Sequence, residues 1–456
     1  MTCSGILEPL GSGSPSSPIV IDAYGTGPEP IIDGGMNAAA VQLNNQQGWE
    51  INNLEVVGGN MYGVYIAGIA PDTTYTYFQL SNLNVHGAHY TSVTGHDSGE
   101  IFFAAGAGDA FNDVVINGVS AHDSQVSEGI FVDGGDAWGS GILGDNITIQ
   151  NSSAYNVYGD GILLQAASNG LLQNNVVYNT GLCPPNPGCA VTPSGLWELY
   201  SHTCTVQGNE SYANQSWSPW DGGDYDIDVW NNNNVVQYNY GHDSVGYCVS
   251  VFSASNVVGT DNVIRYNVCS NNSQLVNSPD PGEIFMNTWD GGTLNGVQVY
   301  NNTFYWNPAT PGPAFNTVFA SYSGSDAKFF KNNIIYSAVP YLVQSTSDFA
   351  LDSNIYWTVG TAPDWNMDGT DYTTLASYQS ASGQDAQSFF TDPMLNSPSY
   401  HTVGRPVSAF TLLPGSPALG AGANVCNGIS GCSMGSQDFW GNPLPAGAGY
   451  NIGAWQ

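Results

Sequence analysis

The chain has 456 residues and carries 37 Asp and Glu against four Lys and Arg, a formal net charge of -33. A field of that sign repels nucleic acid, anionic membranes, polyuronates and sulfated glycans, because affinity for such partners comes from basic side chains. The ligand expected by default is a neutral one, with no nucleic acid and no membrane as partner; the low pI suits an acidic exterior.

In chain order, the first predicted coil reads Pro18-Ile19-Val20-Ile21 and Pro30-Ile31-Ile32-Asp33-Gly34-Gly35. A phrase with an apolar residue followed by a corner Asn then recurs. Its clear copies are Leu172-Gln173-Asn174-Asn175, Val236-Gln237-Tyr238-Asn239, Ile264-Arg265-Tyr266-Asn267, Val299-Tyr300-Asn301-Asn302, Phe330-Lys331-Asn332-Asn333 and Leu351-Asp352-Ser353-Asn354. Looser copies start at Ile51, Leu80, Ile116, Ile149 and Val206, and copies lie 21 to 36 residues apart. No 3.6-residue periodicity accompanies the repeat, so a helical solenoid is excluded. Short alternating segments at such a period predict coils stacked in register around a continuous apolar core. The recurring Asn predicts an internal ladder of amides, each bonding the equivalent position one coil away. Asn also tolerates the left-handed backbone of a tight corner.

A second phrase precedes each corner: Gly161-Ile162-Leu163-Leu164, Leu196-Trp197-Glu198-Leu199, Asp226-Ile227-Asp228-Val229 and Glu283-Ile284-Phe285-Met286. These predict one parallel sheet. Three His-Asp-Ser phrases, at His96, His122 and His242, read as structural turns at equivalent corners rather than as acid–base or metal sites. Beyond about residue 360 the repeat fades. The expected organisation is a β-helix with N-terminal cap over 1–360, and last coils with a loop-rich C-terminal cap over 361–456, which would cover the last sheet edge.

The eight cysteines are an even number, as an oxidising compartment favours. The close pairs Cys183/Cys189 and Cys426/Cys432 read as local disulfides, with buried thiols as the alternative. No Cys-x-x-Cys and no membrane-length apolar run occurs. The opening Met1-Thr2-Cys3 has no signal character and reads as the mature form of a secreted protein.

The opening phrase, the Asn corners and the closing Asn451-Ile452-Gly453-Ala454-Trp455 resemble the right-handed parallel β-helix proteins of the pectate-lyase-like superfamily. The resemblance covers nearly the whole chain. It implies an all-β fold and leaves function open among lyases, hydrolases, epimerases and binding proteins.

One segment concentrates chemistry: Trp220-Asp221-Gly222-Gly223-Asp224-Tyr225-Asp226-Ile227-Asp228-Val229-Trp230. If Ile227 and Val229 point inward, Asp226 and Asp228 share the outer face, about 6.6–7 Å apart at Cα. Clustered carboxylates split their pKa values, which is what glycoside hydrolysis uses. Trp217, Trp220, Trp230 and Trp197 are candidate sugar platforms, with Tyr247 and Trp289 as further contacts. Glu198, Asp160 and Asp243 are rim candidates; Asp133, Asp136 and Trp138 read as ordinary structural residues, with a more distant subsite as the alternative. Calcium binding and a plain solvated acidic strand compete with catalysis for the Asp segment; no organic cofactor and no other metal is expected.

The segment resembles one in glycoside hydrolase family 136, the lacto-N-biosidases. That resemblance implies retaining hydrolysis of a neutral glycan, with Asp221 as acid/base and Asp228 as nucleophile; Asp224 or Asp226 is the alternative acid. The rivals are a calcium-dependent polysaccharide lyase and a non-catalytic glycan-binding protein. A lyase that relies on Arg or Lys is disfavoured by the four basic residues, and no Arg-x-Lys of the polygalacturonase type is present.

Overall fold

The computed structural model describes all residues except 91, 185–191, 219, 275–281, 309–316, 322–328, 347–348, 399–402, 406 and 448. It divides into two units, Met1–Asn231 and Asn232–Gln456. Each is a parallel β-helix in which the chain visits three faces in turn. In the first unit the third face stacks Ala39–Asn44, Tyr62–Gly68, Gly99–Ala105, Glu128–Asp133, Asp160–Gln165, Ser194–Leu199 and Gly223–Ile227. All these neighbours pair in parallel.

Register explains the core. Ile101, Ile130, Ile162, Leu196 and Tyr225 stand in one row of the third face and are buried. Each such aliphatic side chain removed from water contributes about 1.5–3 kcal/mol. The predicted first coil forms as Ile19–Ile21, Ile31–Gly35 and Ala39–Asn44. Its leading edge is covered, because Thr2–Ser4 pairs with Ile31–Gly35 and Leu7 bridges to Val41.

The Asn ladder is present, with one refinement. The left-handed residue is the one before the ladder residue, at φ 54 for Asn174, 58 for Tyr238, 50 for Tyr266, 55 for Asn301 and 54 for Asn332. The next residue turns inward. In the second unit Asn267 N–H and Nδ2 both donate to Asn302 Oδ1, at 2.9 and 3.0 Å, and Asn302 does the same to Asn333, at 2.9 and 3.0 Å. In the first unit the ladder runs through Ser152, Asn175 and Asn209. Three of the looser copies, those starting at Ile51, Leu80 and Ile116, put buried Leu54, Leu83 and Val119 at this position instead.

Among the described residues Cys248–Cys269 and Cys426–Cys432 are disulfides. The second was expected and the first was not. Cys183 is also disulfide-bonded, and its expected partner Cys189 lies outside the described residues. No helix among the described residues is long and apolar enough to cross a membrane. In the second unit the tail does more than close an end. Val407, Phe410, Leu412, Phe439 and Ile452 pack on Tyr240, Val268, Tyr305, Ile334 and Ile355 of successive second-face strands. An apolar flank that a two-sided strand would otherwise expose is thereby covered.

Candidate active site

The outer side of the third face in the first unit collects the acidic chemistry. Phe102, Phe131, Leu163, Trp197 and Asp226 form one outward row, in register strand to strand. Glu128 and Asp160 are register partners at the start of their strands, and both are buried. The loop leading into Gly99–Ala105 lays His96 over them. Its Nδ1 is 2.6 Å from Glu128 Oε1 and 3.5 Å from Asp160 Oδ2, and its ring lies 5.2 Å from that of Trp197. Asp160 Oδ1 accepts from Ser194 N–H at 2.6 Å. Burial pushes both carboxyls well above the usual carboxylate range. The negative charge of Glu128 adds to this at Asp160 while His96 opposes it, and at Glu128 a hydrogen bond with Asp160 opposes it.

Asp228 follows the last of these strands. Its N–H donates to Glu198 O at 3.1 Å, and Asn231 Nδ2 holds its carbonyl at 2.8 Å, so the backbone is pinned on both sides. Its side chain is partly buried, and Oδ1 is buried without a hydrogen-bond partner. Burial lifts its pKa to about 6, while Val229 N–H and the charge of His96 draw it back. On another side Asp228 acts on Tyr200, whose phenol is pushed up to about 12 by burial first and by Asp228 second.

Tyr200 and Trp138, with ring centroids 4.5 Å apart, form the aromatic wall of a pocket of about 330 Å³ also lined by Asp133, Asp136 and Gln165. Burial raises Asp133 to about 7, against a hydrogen bond from Gln165 at 3.0 Å. Asp136 is held low by the N–H groups of Gly108 and Gly139 and stays anionic. Asp133, Asp136 and Trp138 are therefore brought together in one pocket, whose Tyr200 wall feels the charge of Asp228. Trp138 is 59 % exposed, as a stacking platform requires.

Several sequence candidates fall elsewhere. Asp224 points into the coil corner, where its Oδ1 accepts from Ser211 Oγ at 3.0 Å and Asn214 Nδ2 at 2.9 Å. A Cβ at Gly195, one strand away at this position, would meet the same two groups, so the corner faces inward. Asp224 is thus a corner residue, not the alternative acid. Glu198 pairs with Ile227 and shares the inward row of Leu164; it is fully buried, and its charge adds to the burial that raises the Cys204 thiol, so it is no rim residue. Tyr247 is fully buried against Phe252 and Phe285 in the second unit, not a sugar contact. Asp243 is hydrogen-bonded to His242 at 2.8 Å with φ 59, a structural turn. Trp289 is exposed in the second unit.

Asp226 and Asp228 are outward, as expected. Asp221 sits at φ 57 in the loop before Gly223–Ile227, partly buried, in the segment that also carries the exposed Trp217 and Trp220. Trp230 is partly buried, edge-on to His202 at 5.6 Å. Trp197 is on the outer face yet covered by His96. Of the three His-Asp-Ser phrases, His122 and His242 bond their own Asp123 and Asp243 at left-handed corners, so the turn reading holds for them. For His96 it fails, because the ring binds Glu128. His96, Glu128 and Tyr200 were not identified as site residues; His96 was hidden by its repeated phrase, and the other two carry no motif.

No protein-family model and no curated protein matches the sequence. Among solved structures, the chain is similar to the native glycoside hydrolase family 136 lacto-N-biosidase from Eubacterium ramulus at 17 % identity and TM-score 0.44, covering 80 % of this chain and 60 % of that one. The chain thus spans 60 % of that enzyme's length. It is similar to pectate lyase Pel9A at 13 % identity and TM-score 0.43, covering 100 % and 86 %. A mannuronic acid specific polysaccharide family 6 lyase from human gut microbiota gives 10 % identity and TM-score 0.41, covering 79 % and 80 %.

Proposed function

We propose that the protein is a secreted glycoside hydrolase acting on a neutral glycan, with Asp228 at the centre of the site. The observation that carries this is the placement of Asp228 between the His96 cluster and the Trp138–Tyr200 pocket, with a pKa of about 6. A carboxyl with that pKa is ionised at neutral pH, as an attacking carboxylate must be, and is lost as a nucleophile in acid. The aromatic wall offers a sugar ring its face, and Asp133 and Gln165 offer hydroxyl partners. Met1–Asn231 contains no Lys or Arg, which disfavours an acidic substrate here.

In the retaining course, ionised Asp228 attacks the anomeric carbon while Asp221 protonates the leaving oxygen; water activated by Asp221 then releases the sugar. Both roles follow the family 136 resemblance of the Asp segment, as does a lacto-N-biose-type substrate. Because the nucleophile must be ionised, kcat/KM should fall as pH drops through about 6.

The test is a panel of neutral aryl-glycosides and oligosaccharides, including lacto-N-biose-linked ones, with wild type, Asp221→Asn and Asp228→Asn. Turnover reduced about 10²–10⁴-fold by each substitution, in folded protein, supports the reading. Full activity in Asp228→Asn overturns it. An unsaturated, ultraviolet-absorbing product end would reveal a lyase, and glycan binding without any turnover would leave a binding protein.

A further inference from the structure

We propose that His96, Glu128 and Asp160 form a site for a divalent transition-metal ion, with Zn²⁺ the expected occupant. The donor atoms of the three residues all lie within 4.8 Å of one another. Glu128 Oε2 and Asp160 Oδ2 are buried and meet no partner beyond each other's carboxyl and His96, and both carboxylates are at 0 % exposure.

Charge decides what should sit there. Glu128 and Asp160 are in register on adjacent strands, and Asp97 adds a further negative charge that acts on Glu128. Desolvated like charges are costly unless countered. Met1–Asn231 has no Lys or Arg to counter them, and His96 supplies at most one positive charge. A divalent ion cancels two charges at once.

The donor set selects the ion. One imidazole with two carboxylates suits Zn²⁺ or Mn²⁺, whereas Ca²⁺ prefers an all-oxygen shell of six to eight ligands. With bonds of about 2.0–2.2 Å, tetrahedral donors stand roughly 3.3–3.6 Å apart. The His96 Nδ1 to Asp160 Oδ2 distance, 3.5 Å, already matches. The 2.6 Å separation of His96 Nδ1 and Glu128 Oε1 is a hydrogen bond and must open by about 1 Å, which a partly exposed loop side chain allows. Support around the ligands is in place: Asp160 Oδ1 takes Ser194 N–H, and Asp97 takes Ser127 Oγ at 3.1 Å. His96 is 31 % exposed, so the remaining coordination position faces the outer side, toward water or a sugar hydroxyl.

The inference does not rest on hydrolysis, and its test reads binding alone. The full chain, freed of metal by dialysis against a chelator, is titrated calorimetrically with ZnCl2, MnCl2 and CaCl2. One equivalent of Zn²⁺ is expected. His96→Ala, Glu128→Gln and Asp160→Asn should each weaken it at least 100-fold, while Cys3→Ser, which removes an exposed thiol elsewhere, leaves it unchanged. Co²⁺ loaded into the wild type should show the visible absorption of a low-coordinate nitrogen–oxygen site, a readout that needs no variant. Absence of Zn²⁺ and Mn²⁺ binding, preference for Ca²⁺, or binding that survives all three ligand substitutions would each overturn the site and leave a hydrogen-bonded carboxyl pair beneath the His96 ring.

Discussion

The protein should be markedly more stable to heat at pH 4.5 than at pH 8. Burial raises Glu100 from 4.5 to about 8, Asp133 from 3.8 to about 7 and Asp385 from 3.8 to about 6. Each of these groups holds its proton more tightly folded than unfolded. Their stabilisation is therefore complete below about pH 4 and is lost as pH rises through about 6 to 8. For Glu100 alone the displacement corresponds to roughly 4–5 kcal/mol. Asp123 and Asp136 are displaced the other way but lie near the surface, where screening makes them count for less. Self-repulsion within a chain of net charge -33 acts in the same direction as the buried acids. Calorimetry across pH measures this directly. Glu100→Gln, whose amide oxygen can still accept from Ala88 N–H, should flatten much of the slope above pH 5. A variant with an unchanged profile would show that Glu100 is ionised in the folded chain.

The second large effect is expected at Asn302. Its Oδ1 receives two donors from Asn267, and its Nδ2 reaches Ile264 O at 3.0 Å and Asn333 Oδ1. Asn302→Ala strands buried donors and an acceptor in neighbouring coils at once, each costing about 1–3 kcal/mol. A loss of about 3–6 kcal/mol follows, measured by denaturant unfolding. At the equivalent place in an early coil, Leu83→Ala should cost about 2–5 kcal/mol, as ordinary core truncation does. Asn302→Asp should be nearly as damaging as Asn302→Ala, since a carboxylate cannot return the two donated bonds.

These contrasts show what was legible. The ladder could be read because a buried amide at a corner has few substitutes, so its chemistry repeats visibly. Where the corner is filled by Leu54, Leu83 or Val119, packing alone suffices and the phrase loosens. Orientation was harder. In Leu196-Trp197-Glu198-Leu199 a polarity rule turns Trp197 inward and Glu198 outward, and the structure does the reverse. The outer face is itself covered, by His96 among others, so both faces are apolar and alternation no longer marks the inside. Asp224 failed for another reason. At the start of the strand Asp224 meets the buried corner groups Ser211 and Asn214 while Tyr225 stands in the inward row, so the two-residue period does not sort these two. From Tyr225 onward the alternation holds, and Asp226 falls on the outer side. The cluster under His96 joins residues from three separate coils, and no local motif could announce it.

The absence of Lys and Arg from Met1–Asn231 has a consequence outside electrostatics. The first basic residue of the chain is Arg265. A protease that cuts only after Lys or Arg has no bond to attack anywhere in the first unit, whether its coils are closed, frayed or fully unravelled. Trypsin resistance of this unit would therefore say nothing about its stability. Mapping by tryptic peptides would return the whole of it, candidate site included, inside a single fragment, so an acid protease or one specific for Asp and Glu is the reagent that can report on how these coils open.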